Sequence, residues 1–216
     1  MLSFNNDPAL KAAHVEQAEA HAAADMLQAG TYGQGDGASF RACSVGCFAR
    51  DHGITGNLHA GLAEKFALPE WLWRLRDSMF EGLPQEDRAS FHVEFSKRTP
   101  VGVDLEPVRH WLAIARIDRM LETQRKALEA NHAHGVHEAI QQTIAALEVG
   151  RRAHEAAAGG NSCELSAARS AAWSAARPAA ESAWSAARSA AESAAESAWK
   201  AERDALFAAL DRAGAQ

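Results

Sequence analysis

Cys43-Ser-Val-Gly-Cys47 is the sharpest chemical motif in the chain. On a helix, positions i and i+4 share a face, so both sulfurs would point the same way. The pair could supply two metal ligands, with His52, His59 or His21 completing a zinc set. Structural zinc sites favour a second recognisable ligand pair, and none follows here. The plain alternative is two small thiols packed between helices, because free cysteine is among the most buried residue types.

His21 and Asp25 stand one helical turn apart, an imidazole beside a carboxylate able to orient it. With Cys43 they would form a Cys–His–Asp set, brought face to face by the glycine-rich loop 31–37. The ordinary reading of the same pair is a capped, partly buried polar cluster. His132-Ala-His134-Gly-Val-His137-Glu138 would put His134, His137 and Glu138 on one helix face. Gly135 weakens a helix there, so a solvated helix start is the plainer expectation. The loop TYGQGDG is no phosphate-binding loop, since it lacks the closing Gly-Lys-Ser/Thr and no strand precedes it.

The elements that must position these residues are helices. Asn6-Asp7-Pro8 is a helix start, an Asx cap with proline at the first helical position. That helix is expected to run to about Ala29, where Gly30 stops it. Further helices are expected over 40–50, 57–68, 70–81, 85–97, 104–129 and 131–157. Trp71, Trp73 and Trp111 would form the core with Leu72, Leu75, Met79 and Leu112, and Phe91 and Phe95 share one face. Gly159-Gly160-Asn161-Ser162 reads as a hinge. The expected architecture is all-α: a compact multi-helix body over 1–158, a hinge over 159–162, and an Ala/Ser-rich helix or helical hairpin over 163–214.

That tail repeats Ser-Ala-Ala-x. A 15-residue unit occurs at 170–184 and again at 185–199. Spread over four turns it has a period of about 3.75 residues, which implies a slight right-handed supercoil. Two alanines per block form one face, open to close approach by another helix. The opposite stripe carries Trp173, Arg177, Trp184, Arg188 and Trp199. Tryptophan and arginine one turn apart can stack, and both are enriched in binding hot spots. The stripe is therefore a candidate binding surface, with packing against its own protein as the alternative. Pro178 should kink or break the helix.

Composition narrows the functional classes. A net charge of −6 argues against a general nucleic-acid surface and against anionic membranes. No run of about 20 apolar residues is present, so no membrane-spanning helix is expected. The N-terminus lacks the charged-then-apolar order of a secretory signal. Three cysteines, an odd number, fit a reducing cytoplasm.

The segments FNNDPALKAAHVEQAEAHAAAD, CSVGCFARDH, ALPEWLWRLRDSMFEGLP and PVGVDLEPVRHWLA resemble a family of uncharacterised bacterial, phage and prophage proteins. The resemblance covers roughly residues 4–115. It implies a helical body with an alanine-rich tail and a mobile-element setting, and it transfers no catalytic residue or cofactor. Together these readings point to a non-enzymatic, oligomerising α-helical binding protein. It would be a homo-oligomer through its tail, meeting a host protein or a small ligand. One alternative is a small thiol- or metal-dependent enzyme using Cys43, His21 and Asp25, or zinc held by Cys43, Cys47 and His52. Another is a sponge for a nucleotide-like molecule, gathered by Arg41, Arg50, Arg74 and Arg76.

Overall fold

In a computed structural model of the protein, which describes residues 1–129, 134–161 and 191–215, the fold is all-α. The helices are α1 (Pro8–Ala23), α2 (Ser44–Asp51), α3 (Leu58–Phe66), α4 (Glu70–Gly82), α5 (Gln85–Arg98), α6 (Glu106–Leu128), α7 (His134–Ala158) and α8 (Ala191–Gly214). Among the described residues there is no strand, only isolated bridges such as Gln34 with Arg41. No described helix is long and apolar enough to cross a membrane.

Local chemistry explains most of the boundaries. The Asp7 carboxylate accepts from the Ala9 amide at 2.8 Å, and Pro8 opens α1. Asn57 caps α3 through the Ala60 amide, and Pro69 and Pro84 precede α4 and α5. Two boundaries differ from expectation. Helix α1 ends at Ala23 rather than near Ala29, because Met26 and Gln28 turn aside to exchange backbone hydrogen bonds with Ala42. Asp25 takes a left-handed φ of 51° at this exit. Helix α2 starts at Ser44 rather than Phe40, since Ala42 is spent on that pairing and Arg41 exchanges backbone hydrogen bonds with Gln34.

The chain divides into two compact units. The first contains α1 to α5 and, from residue 195 on, α8; the second contains α6 and α7. Most of the expected tail, residues 163–190, lies outside the described residues. The chain's last turns pack on its first hundred residues: the Phe91 and Phe207 rings stack at 6.0 Å, and Lys200 and Arg203 lie 3.8 and 3.6 Å from Asp87. In the second unit α6 and α7 run antiparallel. His110 meets His154 at 3.1 Å, Arg151 pairs with Asp118, and Arg125 pairs with Glu148.

The N-terminus plugs the core of the first unit. Phe4, Asn5 and Asn6 hold left-handed backbone, a costly state for such residues, and the turn is pinned through Ser3. The Ser3 amide donates to Val103 O at 3.0 Å and its hydroxyl to Pro100 O at 2.7 Å. Gly102, at φ 74°, leaves room for Asn6: a Cβ there would lie 2.1 Å from Asn6 Oδ1. The turn drives the fully buried Phe4 ring against Phe66 and His14. Lys11 finishes the seal by donating to the carbonyls of Ser96, Lys97 and Thr99 at the end of α5.

Two glycine substitutions test the packing. Gly82 lies under the Trp199 indole, where a Cβ would come 2.1 Å from Cε2. Gly82→Ala is expected to destabilise the protein by roughly 1–3 kcal/mol through overpacking. Gly150→Ala, whose new methyl meets only Ile117 Cδ1 at 3.8 Å, is expected to stabilise by roughly 0.5–1 kcal/mol. Thermal melts followed by circular dichroism would show midpoints moving in opposite directions; equal gains would contradict the seat of Trp199.

Candidate functional site

The apolar face of α4 carries Leu72, Trp73, Met79 and Phe80, and in its middle stands Arg76. Its guanidinium is fully buried, and no carboxylate pairs with it among the described residues. Neutral acceptors surround it instead. Nε–H donates to Ser44 Oγ at 2.6 Å, and NH1 donates to His14 Nε2 at 3.3 Å. NH2 donates to His92 O and Ser96 Oγ at 3.0 Å and faces His92 Nδ1 at 3.2 Å. The rings of Phe95, Phe48 and Trp73 lie 4.6, 4.8 and 5.3 Å from the cation. Burial works against the charge, but a guanidinium keeps its proton in protein interiors.

The cation sets the polarity of a chain of hydrogen bonds. An arginine N–H can only donate, so His92 Nδ1 carries no proton and also accepts from Ser44 Oγ at 2.8 Å. The proton of His92 is then on Nε2, which donates to His21 Nδ1 at 3.1 Å. His21 in turn donates from Nε2 to Asp51 at 2.8 Å. A directed relay thus runs from buried Ser44 through two imidazoles to an exposed carboxylate. His14 and His92 are held well below their ordinary pKa, by burial first and then by Arg76. His21 is also lowered: burial outweighs the opposing pull of Asp51.

The predicted catalytic set does not converge. His21 turns to Asp51 and His92, not to Asp25, which lies beyond the end of α1 where i,i+4 geometry no longer applies. Cys43 caps α2 and donates to Asp77 Oδ1 at 3.4 Å. The predicted metal set separates as well. Cys47 lies near the Ala42 and Met26 carbonyls, and His52 donates to Gln17 Oε1 at 3.2 Å. Burial pushes both thiols, Cys43 and Cys47, up to about 12. Of the predicted binding stripe, Trp199 is described and sits on Gly82; Trp173, Arg177, Trp184 and Arg188 lie outside the described residues. So do His132 and Cys163.

A second polar cluster surrounds Cys43. Asp77 and Glu81 stand one turn apart on α4, and one ligand-type atom from each of Cys43, Asp77 and Glu81 lies within 4.8 Å of the others. His59 Nε2 and Tyr32 Oη donate to Asp77 Oδ2 at 3.1 and 2.7 Å, and the Gly30 amide donates to Glu81 at 2.7 Å. Gly46 permits this approach, since a Cβ there would stand 2.1 Å from Tyr32 O.

Sequence reasoning assigned Arg76 to an anion-gathering cluster rather than to the core, and it missed Ser44, His92, Asp51 and Asp77. A signal existed for the first: Arg76 follows Trp73 and precedes Met79 by three residues, inside an apolar stripe. His92 and Ser96 likewise adjoin the apolar pair Phe91 and Phe95. Asp51 and Asp77 carried no such mark, because their partners come from distant elements.

Two outcomes follow from the buried network. Folded His14 and His92 bind protons only well below 6.5, whereas the unfolded chain binds them near 6.5. Their contribution is intact above that pH and is lost as pH falls through it, because the unfolded state takes up the protons. Urea titrations at stepped pH should show stability falling below pH ~6.5 by up to about 1.4 kcal/mol per pH unit for each buried imidazole. His92→Gln should shallow the slope by about one proton; an unchanged slope would contradict the assignment. Arg76→Lys keeps the charge but cannot reach the same acceptors, and should cost about 2–3 kcal/mol in the same titration.

No protein-family model, curated protein or solved structure matches the chain, so the site is read from its own geometry.

Proposed function

We propose that the protein is a non-enzymatic, oligomerising α-helical binding protein, an accessory protein of a phage or mobile element acting in the host cytoplasm. The supporting observation is the burial of the groups that could attack a substrate. Cys43, Cys47 and Ser44 are each at most 1 % exposed. The thiolate is the reactive form of cysteine, and both of these thiols are held protonated. Ser44 has an imidazole beside it, but the Arg76 cation on the same nitrogen removes the basicity that a general base needs. The polar core is thus a structural device, and binding falls to surfaces.

The arginines expected to gather an anion do not form a patch. Arg76 is buried, Arg74 pairs with Glu70, Arg50 covers the Phe40 ring at 4.0 Å, and Arg41 donates to the Ala38 and Phe40 carbonyls. This weighs against a nucleotide sponge. The tail repeat offers a packing face without a reactive group, which favours association with a second copy and with a host protein through Trp173, Arg177, Trp184 and Arg188.

Light scattering across a concentration series should show a defined multiple of the chain mass, and Trp173→Ala with Trp184→Ala should shift it toward monomer. A monomer at every concentration would overturn the oligomer. Iodoacetamide should label Cys43 and Cys47 in the native protein roughly 10²–10³-fold more slowly than in urea. Rapid native labelling of Cys43 would instead favour the thiol enzyme.

A further inference from the structure

We propose that Cys43, Asp77 and Glu81 form a binding site for a divalent transition-metal ion, zinc first, with His59 and Tyr32 orienting the Asp77 carboxylate. The donors come from two elements that the fold brings together: the N-cap of α2 and one face of α4, where Asp77 and Glu81 are separated by a single turn. His59 on α3 adds a third element behind them.

Distances fit a shared ion. Tetrahedral zinc with ordinary Zn–S and Zn–O bonds places its sulfur and oxygen ligands about 3.5 Å apart. Cys43 Sγ and Asp77 Oδ1 are 3.4 Å apart, and the Glu81 oxygen completes a triangle with no side longer than 4.8 Å. The two oxygens of Asp77 have different duties. Oδ2 is taken by His59 and Tyr32, while among the described residues Oδ1 accepts only from the thiol. Binding of the ion would release the thiol proton to solvent and leave Sγ and Oδ1 as two ligands of one metal, with no change of oxidation state. The outer hydrogen bonds hold the carboxylate plane as partners of metal ligands commonly do.

Charge and access agree with this assignment. No lysine or arginine pairs with Asp77 or Glu81 among the described residues, so two carboxylates share one small region without a cation. The cluster grades outward from buried Cys43 through half-buried Asp77 to exposed Glu81, which leaves an entry on the Glu81 side. One sulfur with two oxygens suits zinc or cobalt. Calcium and magnesium prefer oxygen alone, and calcium wants more of it than is present here. Three protein ligands leave one coordination position open.

Cobalt(II) titration of the full chain tests the site, because a thiolate ligand gives a near-ultraviolet charge-transfer band. The expected result is a saturable band at one cobalt per chain that zinc displaces. Cys43→Ser should abolish it, and Glu81→Gln, a surface change, should weaken binding roughly 10–100-fold. Cys47→Ala and His52→Gln should leave it unchanged. Absence of the band in folded wild-type protein would overturn the site. So would a band that survives Cys43→Ser, or one insensitive to Glu81→Gln. The site does not depend on how the tail associates: a monomer that binds cobalt would sink the oligomer and leave the metal site standing.

Discussion

The structure depends on one buried cation. Taking a guanidinium out of water is expensive, and a carboxylate partner is the usual remedy. Among the described residues Arg76 has none; it is held by two hydroxyls, two imidazole nitrogens, a carbonyl and three aromatic faces. Each neutral acceptor returns little alone, so the site works only when α1, α2, α4 and α5 all deliver their groups together. This explains why polar residues face inward from four helices. It also explains why His14 and His92 stay neutral, since a second positive charge beside Arg76 would find no carboxylate partner there among the described residues.

The same helices serve two clusters because neighbouring residues on a helix point about 100° apart. On α4, Arg76 enters the core while Asp77 turns toward Cys43 and Tyr32. At the start of α2, Ser44 joins the arginine network, and its neighbour Cys43 caps the helix and meets Asp77. One cluster is sealed by phenylalanines and by the N-terminal turn. The other opens through Glu81. Their different exposures set them apart: the sealed network holds the fold, and the open one is where the metal site is proposed.

The first hundred residues and the chain's last turns make one unit, and this changes the meaning of the tail. The repeat has the sequence of a free-standing helix. Its closing tryptophan, Trp199, belongs to the fold through Gly82, and Phe207 follows it onto Phe91. Trp199 is therefore committed to packing against its own protein. The four remaining positions, Trp173, Arg177, Trp184 and Arg188, lie outside the described residues.

The sequence by itself determined the fold class and several of the helix starts, because caps, prolines and apolar spacing act over a few residues. Asp7-Pro8, Asn57 and Pro69 each mark a start that the structure keeps. It also offered Arg76 in an apolar stripe, a conflict that a helical wheel displays. Only the tertiary structure decided which partners meet. His21 had Asp25 one turn away in sequence, but Ala42 drew the chain out of α1 and Asp51 arrived from α2 to take the imidazole. Cys43 had Cys47 one turn away, yet as a cap its sulfur turns to Asp77. Periodicity reports neighbours within one helix, whereas a site is made where separate helices cross, and that crossing is settled by the packing of the whole core.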